Sequence, residues 1–387
     1  MSTATALKPD TNIDHMKITI ERAALLKALS HVQSVVERRG TIPILSNVKL
    51  EAIDNKLHLT ATDMDIAVVE RAPAQVAVQG AATVQAGTFY DIARKLPEGS
   101  QVEISLNPDS NKLIIRSGSS RFSLATLPVE DFPVMTEGDM PYSFSITASE
   151  CNALIDKTRF AVSTEETRYY LNGIYLHAAE SNGIGVLRSV ATDGHRLARI
   201  EVALPSGAAG MPGVIIPRKT IGEIKKLTED GVTHVEIALS ESKIRFTCGS
   251  AVLVSKLIDG TFPDYERVIP SGNDKLMEVD TKKFIGTVDR VAVIASEKTR
   301  GIRMAVSQGK LTLSADSPEH GTAIEEVEAT YAAEPIEIGF NSRYLLDMMA
   351  QVEGDIAQFV LADSTSPALV RDTADVSALY VIMPMRV

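Results

Sequence analysis

Through most of the chain apolar and polar residues alternate one for one, in runs such as SQVEISL (100–106), KLIIRSG (112–118), RFSLATL (121–127), HVEIAL (234–239) and KIRFTC (243–248). A period of two belongs to strands with one buried face, so the pattern predicts a chain dominated by antiparallel sheet. A few stretches break step. In KTIGEIKKL (219–227) the apolar residues Ile221, Ile224 and Leu227 fall three apart, which makes one stripe of an amphipathic helix.

The two patterns recur in a fixed order. KLHLTATDMDIAV (56–68), VLRSVATDGHRLA (186–198) and KLTLSADSPEHGTA (310–323) share a template of strand, acidic turn and second strand, with Asp63, Asp193 and Asp316 in matching places. Each is followed some 33 or 34 residues later by the end of a helical stretch: TFYDIARKL (88–96), KTIGEIKKL and NSRYLLDMMA (341–350). Each copy also opens on a strand that runs into a helix: KITIERAALLKALSHV, FSITASECNALIDKTRF and MEVDTKKFIGTVDRVAV. Thr147 or Ser149, and Asp280 or Thr281, suit the N-caps of the last two. Two links rich in Pro and Asp, LPVEDFPVMTEGDMPY and IDGTFPDYERVIPSGNDK, separate the copies, and each contains a Phe-Pro step. The expected fold is therefore α+β, with two helices packed on antiparallel sheets in each of three repeats. Expected boundaries are a flexible tail over 1–15 and domains over 16–140, 141–270 and 271–387.

At 387 residues the chain has room for two or three domains of about 100–200 residues each. With 44% apolar and 23% charged residues it is ordinary for a soluble globular protein. No apolar run approaches the roughly 18 residues that span a bilayer, and the first fifteen residues lack the marks of a signal or transit peptide, so the expected location is the cytoplasm. Cys151 and Cys248 stand far apart and read as reduced thiols. The seven histidines show no metal-ligand spacing, and no cofactor or metal is expected.

A net charge of −11 argues against nucleic-acid binding unless the charge is unevenly spread. It is uneven. The six helical stretches 20–39, 88–96, 150–159, 218–227, 281–290 and 341–350 hold sixteen Lys and Arg against eight Asp and Glu. One cationic helix would mean only a solvated face. If the three helix pairs share a surface, that surface is a basic patch suited to a phosphate backbone, and no base-reading motif accompanies it.

The stretch ATDGHRLA (191–198) admits two readings. As an active site, Asp193 would orient His195 as the base for a nucleophile. No G-x-S-x-G elbow or Gly-rich phosphate loop accompanies it, and the sister turns keep the aspartate without the GHR. A repeated Asp at a strand end closes a turn through backbone hydrogen bonds, so a hydrolase is the weaker reading. A β-rich scaffold that never meets DNA is the third.

TIPILSN (41–47), RYYLNG (168–173), TDGHRL (192–197), KLIDGTFPDYERV (256–268) and MPMR (383–386), together with the repeats, resemble the bacterial DNA polymerase III β subunits, the sliding clamps, from Met16 to Val387. The resemblance implies a non-catalytic processivity subunit and a head-to-tail homodimer closed into a six-domain ring around duplex DNA. It implies as partners the polymerase III catalytic subunit, clamp loader subunits, and other polymerases and repair factors carrying clamp-binding peptides. By matching positions, a hydrophobic peptide cleft is lined by Leu171, Thr192, Gly194, His195, Arg196, Leu197, Pro263, Val268, Val381, Met383, Met385 and Arg386. Methionines would re-pack around different anchors, Gly194 would let a ligand backbone approach, and Arg196 and Arg386 would hold peptide carbonyls or a carboxylate. The same matching assigns DNA contacts to Arg39, Tyr169 and Tyr170, and the dimer seam to Phe122, Leu124, Val293 and Ile294. The sequence departs from the family pattern at Glu165, where some members have a DNA-contacting glutamine, and at Pro367, where a pocket serine is common. On its own, YVIMPMRV would be an ordinary final core strand.

Overall fold

The computed structural model describes residues 16–386 apart from 38, 39, 108, 109, 230, 297 and 299. The expected tail over 1–15 lies outside the described residues.

The first repeat runs β1 (Lys17–Glu21), α1 (Arg22–Val32), β2 (Asn47–Ile53), β3 (Lys56–Thr62), β4 (Ile66–Pro73), β5 (Gln75–Val78), β6 (Gly80–Gln85), α2 (Ala86–Lys95), β7 (Gln101–Asn107), β8 (Lys112–Ser117) and β9 (Ser120–Ala125). The second runs β10 (Tyr142–Thr147), α3 (Ala148–Asp156), β11 (Gly173–Ser181), β12 (Ile184–Thr192), β13 (Arg196–Ala203), β14 (Val214–Pro217), α4 (Arg218–Thr228), β15 (His234–Leu239), β16 (Lys243–Cys248) and β17 (Ala251–Lys256). The third runs β18 (Lys275–Asp280), α5 (Thr281–Ala292), β19 (Gly301–Ser307), β20 (Lys310–Ser317), β21 (Gly321–Tyr331), β22 (Ile336–Asn341), α6 (Ser342–Met349), β23 (Ile356–Leu361), β24 (Ala368–Asp372) and β25 (Ala378–Ile382). Apart from the extra β5, the order is the same three times, as the repeat predicts.

The helices start where their caps allow. Asp280 accepts from the Lys283 amide at 2.8 Å, Gln85 from Thr88 at 2.6 Å and Asn341 from Arg343 at 3.0 Å. Their apolar stripes are buried: Leu25, Leu29 and Val32 on α1, and Phe284, Val288 and Val291 on α5. Each such side chain contributes about 1.5–3 kcal/mol by leaving water. Lys27, Lys95, Lys219, Lys226, Lys282, Lys283 and Arg343 stay exposed on the helices. Lys157 does not. It is only 6% exposed and donates to Glu353 and to the Gln351 carbonyl at 2.6 Å, so one of the sixteen counted cations belongs to the interior.

Contacts divide the chain into two units, one comprising residues up to Ala148 with Gly222–Lys256, the other Ser149–Ile221 with Leu257–Val387. The first holds a five-stranded sheet, β5-β1-β7-β8-β9, and an eight-stranded sheet, β10-β15-β16-β17-β4-β3-β2-β6. The second holds one twelve-stranded sheet, β14-β11-β12-β13-β25-β24-β23-β18-β21-β20-β19-β22. Strand pairing thus crosses from repeat to repeat. The last strand of the second repeat, β17, pairs antiparallel with β4 of the first, and the last strand of the third, β25, pairs in the same way with β13 of the second.

Both cysteines are buried thiols outside any disulfide. Burial and the neighbouring Glu70 push the Cys248 thiol up to about 12, which keeps it protonated and unreactive at neutral pH.

Candidate functional site

The turn between β12 and β13 is built by its own side chains. Asp193 Oδ1 accepts from the amides of His195 at 2.9 Å and Arg196 at 3.0 Å, while Thr192 Oγ1 donates to the Arg196 carbonyl at 2.7 Å. The sister turn repeats this: Asp63 Oδ1 accepts from Asp65 and Ile66, and Thr62 Oγ1 donates to the Ile66 carbonyl. The third copy departs from the expectation. Asp316 lies within β20, opposite Thr322, and closes no turn. Gly194 and its counterpart Met64 both take positive φ, 88° and 76°. A Cβ on Gly194 would also stand 2.5 Å from Arg168 Nη1. Gly194→Ala should therefore cost about 1–2 kcal/mol, read as a lower thermal unfolding midpoint; an unchanged midpoint would show that the turn does not depend on this glycine.

The geometry removes the hydrolase reading. The Asp193 carboxylate is spent on the backbone and on Arg196 Nε at 3.1 Å, and the exposed His195 ring stacks on Tyr344 with centroids 6.1 Å apart. Among the described residues there is no cluster of metal-ligating side chains.

Arg196 is 8% exposed. Its Nη1 donates to Asp347 at 2.7 Å, its Nη2 to the Phe160 carbonyl at 2.6 Å, and its carbon lies 4.4 Å from the centre of the Tyr344 ring. The expectation that it reaches out to peptide carbonyls is corrected: each guanidinium nitrogen already donates within the protein, so Arg196 props the wall. Asp347 and Tyr344 sit on α6, far along the chain, and no local signal marked either.

Beside this turn is an apolar cluster of Leu171, Val190, Leu197, Ile215, Phe262, Tyr265, Leu369, Leu379 and Val381, with Tyr170, Ile269 and Val360 packed half-buried against it. Leu171 ends the 3-10 turn Glu166–Leu171, two residues before β11 starts at Gly173. At the rim, Val268 is 45% and Met383 38% exposed. Pro263 and Arg386 are exposed and Met385 half-buried. β25 is buried throughout and pairs Val381 with Leu197, as an ordinary core strand does. Beyond it the tail turns into a wall, held by the Met383 amide on the His195 carbonyl at 2.9 Å and the Met385 amide on the Gly339 carbonyl at 2.8 Å.

The second link is fastened from below. Arg188 Nη1 donates to the Tyr265 hydroxyl at 2.7 Å and to Glu266 at 2.6 Å, and its Nε donates to Glu201. The Tyr265 hydroxyl also meets His177 Nε2 at 3.0 Å. Burial holds the His177 imidazole below its usual range, so the neutral ring is favoured there.

Family models for the DNA polymerase III beta subunit match the chain in three pieces: the N-terminal domain over 16–136, the central domain over 145–264 and the C-terminal domain over 266–386. The chain belongs to the DNA polymerase III beta subunit family. A beta sliding clamp of Caulobacter vibrioides is 52% identical over 96% of this chain and 100% of its own length, and that of Escherichia coli K12 is 39% identical over the same shares. A crystal structure of the Bartonella birtlesii sliding clamp bound to griselimycin is 48% identical, with a TM-score of 0.93 over 96% of this chain and all of that one. As a beta subunit, the chain is a non-catalytic processivity factor of the bacterial replicative polymerase.

In this beta subunit the residues expected at DNA separate. Arg39 lies outside the described residues. Tyr169 is 54% exposed, whereas Tyr170 packs against the apolar cluster. Glu165 pairs with Arg168 at 2.6 Å, and that contact holds its carboxyl below the usual range. Pro367 offers its carbonyl to Asn273. Of the residues expected at the seam, Phe122 and Leu124 share one half-buried face of β9, the outermost strand of its sheet. Val293, just past α5, is 75% exposed, and Ile294 is half-buried beside it. The last turn of α5 is tied to β21 through Arg290 and Glu325.

Proposed function

We propose that this beta subunit acts as half of a two-subunit, head-to-tail ring of six clamp domains, divided near 16–140, 141–270 and 271–387, that encircles duplex DNA. The supporting observation is the repeated sheet junction. β17 pairs with β4 and β25 with β13, so the last strand of each later repeat joins the corresponding strand of the repeat before it. The series leaves β9 as a last strand without its mate and β21 as a mate without its last strand. β21 pairs with β18 only through Ala329–Tyr331, so the edge before Ala329 is open, and Ile324 on it is 74% exposed. Exposed edges of this kind invite a partner strand, and identical subunits satisfy both ends at once.

The exposed lysines and arginines of the helices, with Arg39 and Tyr169, supply loose phosphate and stacking contacts that permit sliding without sequence preference. The cluster around Leu171, Leu197 and Val381, rimmed by Pro263, Val268, Met383 and Met385, is the cleft for short peptides of the polymerase III catalytic subunit, clamp loader subunits and other polymerases and repair factors. The Bartonella relative is bound to griselimycin. Thr192, Gly194, His195 and Arg196 frame one side, and Arg386 is the cation left for a peptide carboxylate. Such peptides bind at roughly micromolar strength, near −8 kcal/mol. The site of action is the cytoplasm.

The test is topological. After loading onto a nicked circular duplex, the protein should co-elute with the circle through a high-salt column and be lost when the circle is linearised. Equal retention on both forms would mean ordinary surface binding and would end the ring reading.

A further inference from the structure

The cleft described above lies where β13 meets β25. The kindred junction of β4 with β17 carries a cavity of about 370 Å³, within the range of small binding sites. Its floor is made by Ala67 and Val69 of β4 and Val252 and Val254 of β17. Ala67 faces Val254 across the junction as Leu197 faces Val381 across the other. The smaller alanine leaves room. The cover is the first link: Phe132 is buried with Ile44 and Leu45, and Pro133, Val134 and Met135 follow over the groove. Phe132-Pro133 repeats the Phe262-Pro263 step of the second link, a sequence motif that the proposed function uses only once.

The link is held at the edge of the groove by Lys243 on the Thr136 carbonyl and by Arg245 on Glu137 at 2.5 Å. That leaves Val134 79% exposed over the cavity. The charged lining is Lys49, Arg71 and Arg245 against Glu51 and Glu137. Lys49 pairs with Glu51 at 2.9 Å, while the exposed Arg71 guanidinium has no ion pair among the described residues. An acidic protein thus keeps one unneutralised cation at the mouth of an apolar groove.

We propose that this groove is a second peptide site, which takes a short, extended acidic peptide with an apolar side chain on Val69 and Val252 and a carboxylate on Arg71. The kinship of the two junctions rests on the cleft reading above; the floor, cover and charge of this groove do not. An aliphatic side chain on a valine floor with a carboxylate on arginine joins burial to a charge-assisted contact.

The experiment uses the full-length protein and a capped Glu-Glu-Leu-Leu-Glu peptide with a photoreactive diazirine leucine as its second leucine, with adducts mapped by mass spectrometry. Adducts within 132–137 or 252–254 are expected, competed by unlabelled peptide and retained when Met383–Val387 is deleted. Arg71→Glu with Val134→Asp, both exposed positions, should reduce them about tenfold, the worth of one such contact. Adducts there without any around Leu197 would support this site while counting against the cleft. Adducts only around Leu171, Leu197 or Met383 would leave the cleft standing and overturn this site. Groove labelling unchanged by the two substitutions, or equally strong with a Lys-Lys-Leu-Leu-Lys peptide, would also overturn it.

Discussion

Val293→Asp combined with Ile294→Asp should leave the protein as a monomer of 41.7 kDa at concentrations where the native chain sediments at about twice that mass. Val293 is 75% exposed in the single chain, so a carboxylate there costs the fold little. In the ring both positions would flank the open edge of β21 and face the apolar side of β9, where a carboxylate finds neither water nor a partner. Burying two such groups costs several kcal/mol, about 3 for each by the milder protein-based scales. That raises the dimer dissociation constant by at least about a thousandfold. Leu124→Asp, on the opposite side of the proposed seam, should do the same. Light scattering at two concentrations reads the result, and a thermal unfolding midpoint close to the native one excludes misfolding. A persistent dimer in both variants would move the seam elsewhere.

Deleting Met383–Val387 should abolish peptide binding and leave dimerisation intact. The cut falls after β25, so the Val381–Leu197 pairing and the buried strand survive. What is lost is the wall tied to the His195 and Gly339 carbonyls, including Met383, Met385 and Arg386. Removing the central apolar contacts of a peptide site costs about 2–4 kcal/mol, which makes a roughly micromolar peptide about 30- to 700-fold weaker. Fluorescence anisotropy with a labelled peptide from the polymerase catalytic subunit gives the reading. Unaltered affinity would refute the cleft, whatever the outcome at the second groove.

Much of the secondary structure was legible because its causes are local. The stripe of Ile221, Ile224 and Leu227 placed a helix over 218–227 and the structure has Arg218–Thr228. Of the two cap candidates Asp280 and Thr281, it is Asp280 that caps α5. The two aspartates that close turns, Asp63 and Asp193, follow from side chains bonding amides two and three residues ahead. Asp316 fails the analogy because β20 runs on through it and pairs with β21, so a ladder replaced the turn. Lys157 and Arg196 mark the other limit. A cation in a sequence reads as solvated or ligand-binding, yet Glu353 buries the one and Asp347 and Phe160 engage the other.

What the chain by itself determined is periodicity: three rounds of strands and helices, cationic helical stretches in an acidic whole, and turns whose geometry lies within five residues. Those depend on φ/ψ preference and on neighbours along the backbone. Only the tertiary structure decided which strand joins which across repeats, that Tyr344 and Asp347 hold the ATDGHRLA turn, that Tyr170 packs against the apolar cluster while Tyr169 stays exposed, and that Val293 is left bare. Each of these depends on groups far apart in sequence meeting where water is excluded, and there the partner, not the residue type, sets whether a charge is spent or a side chain free.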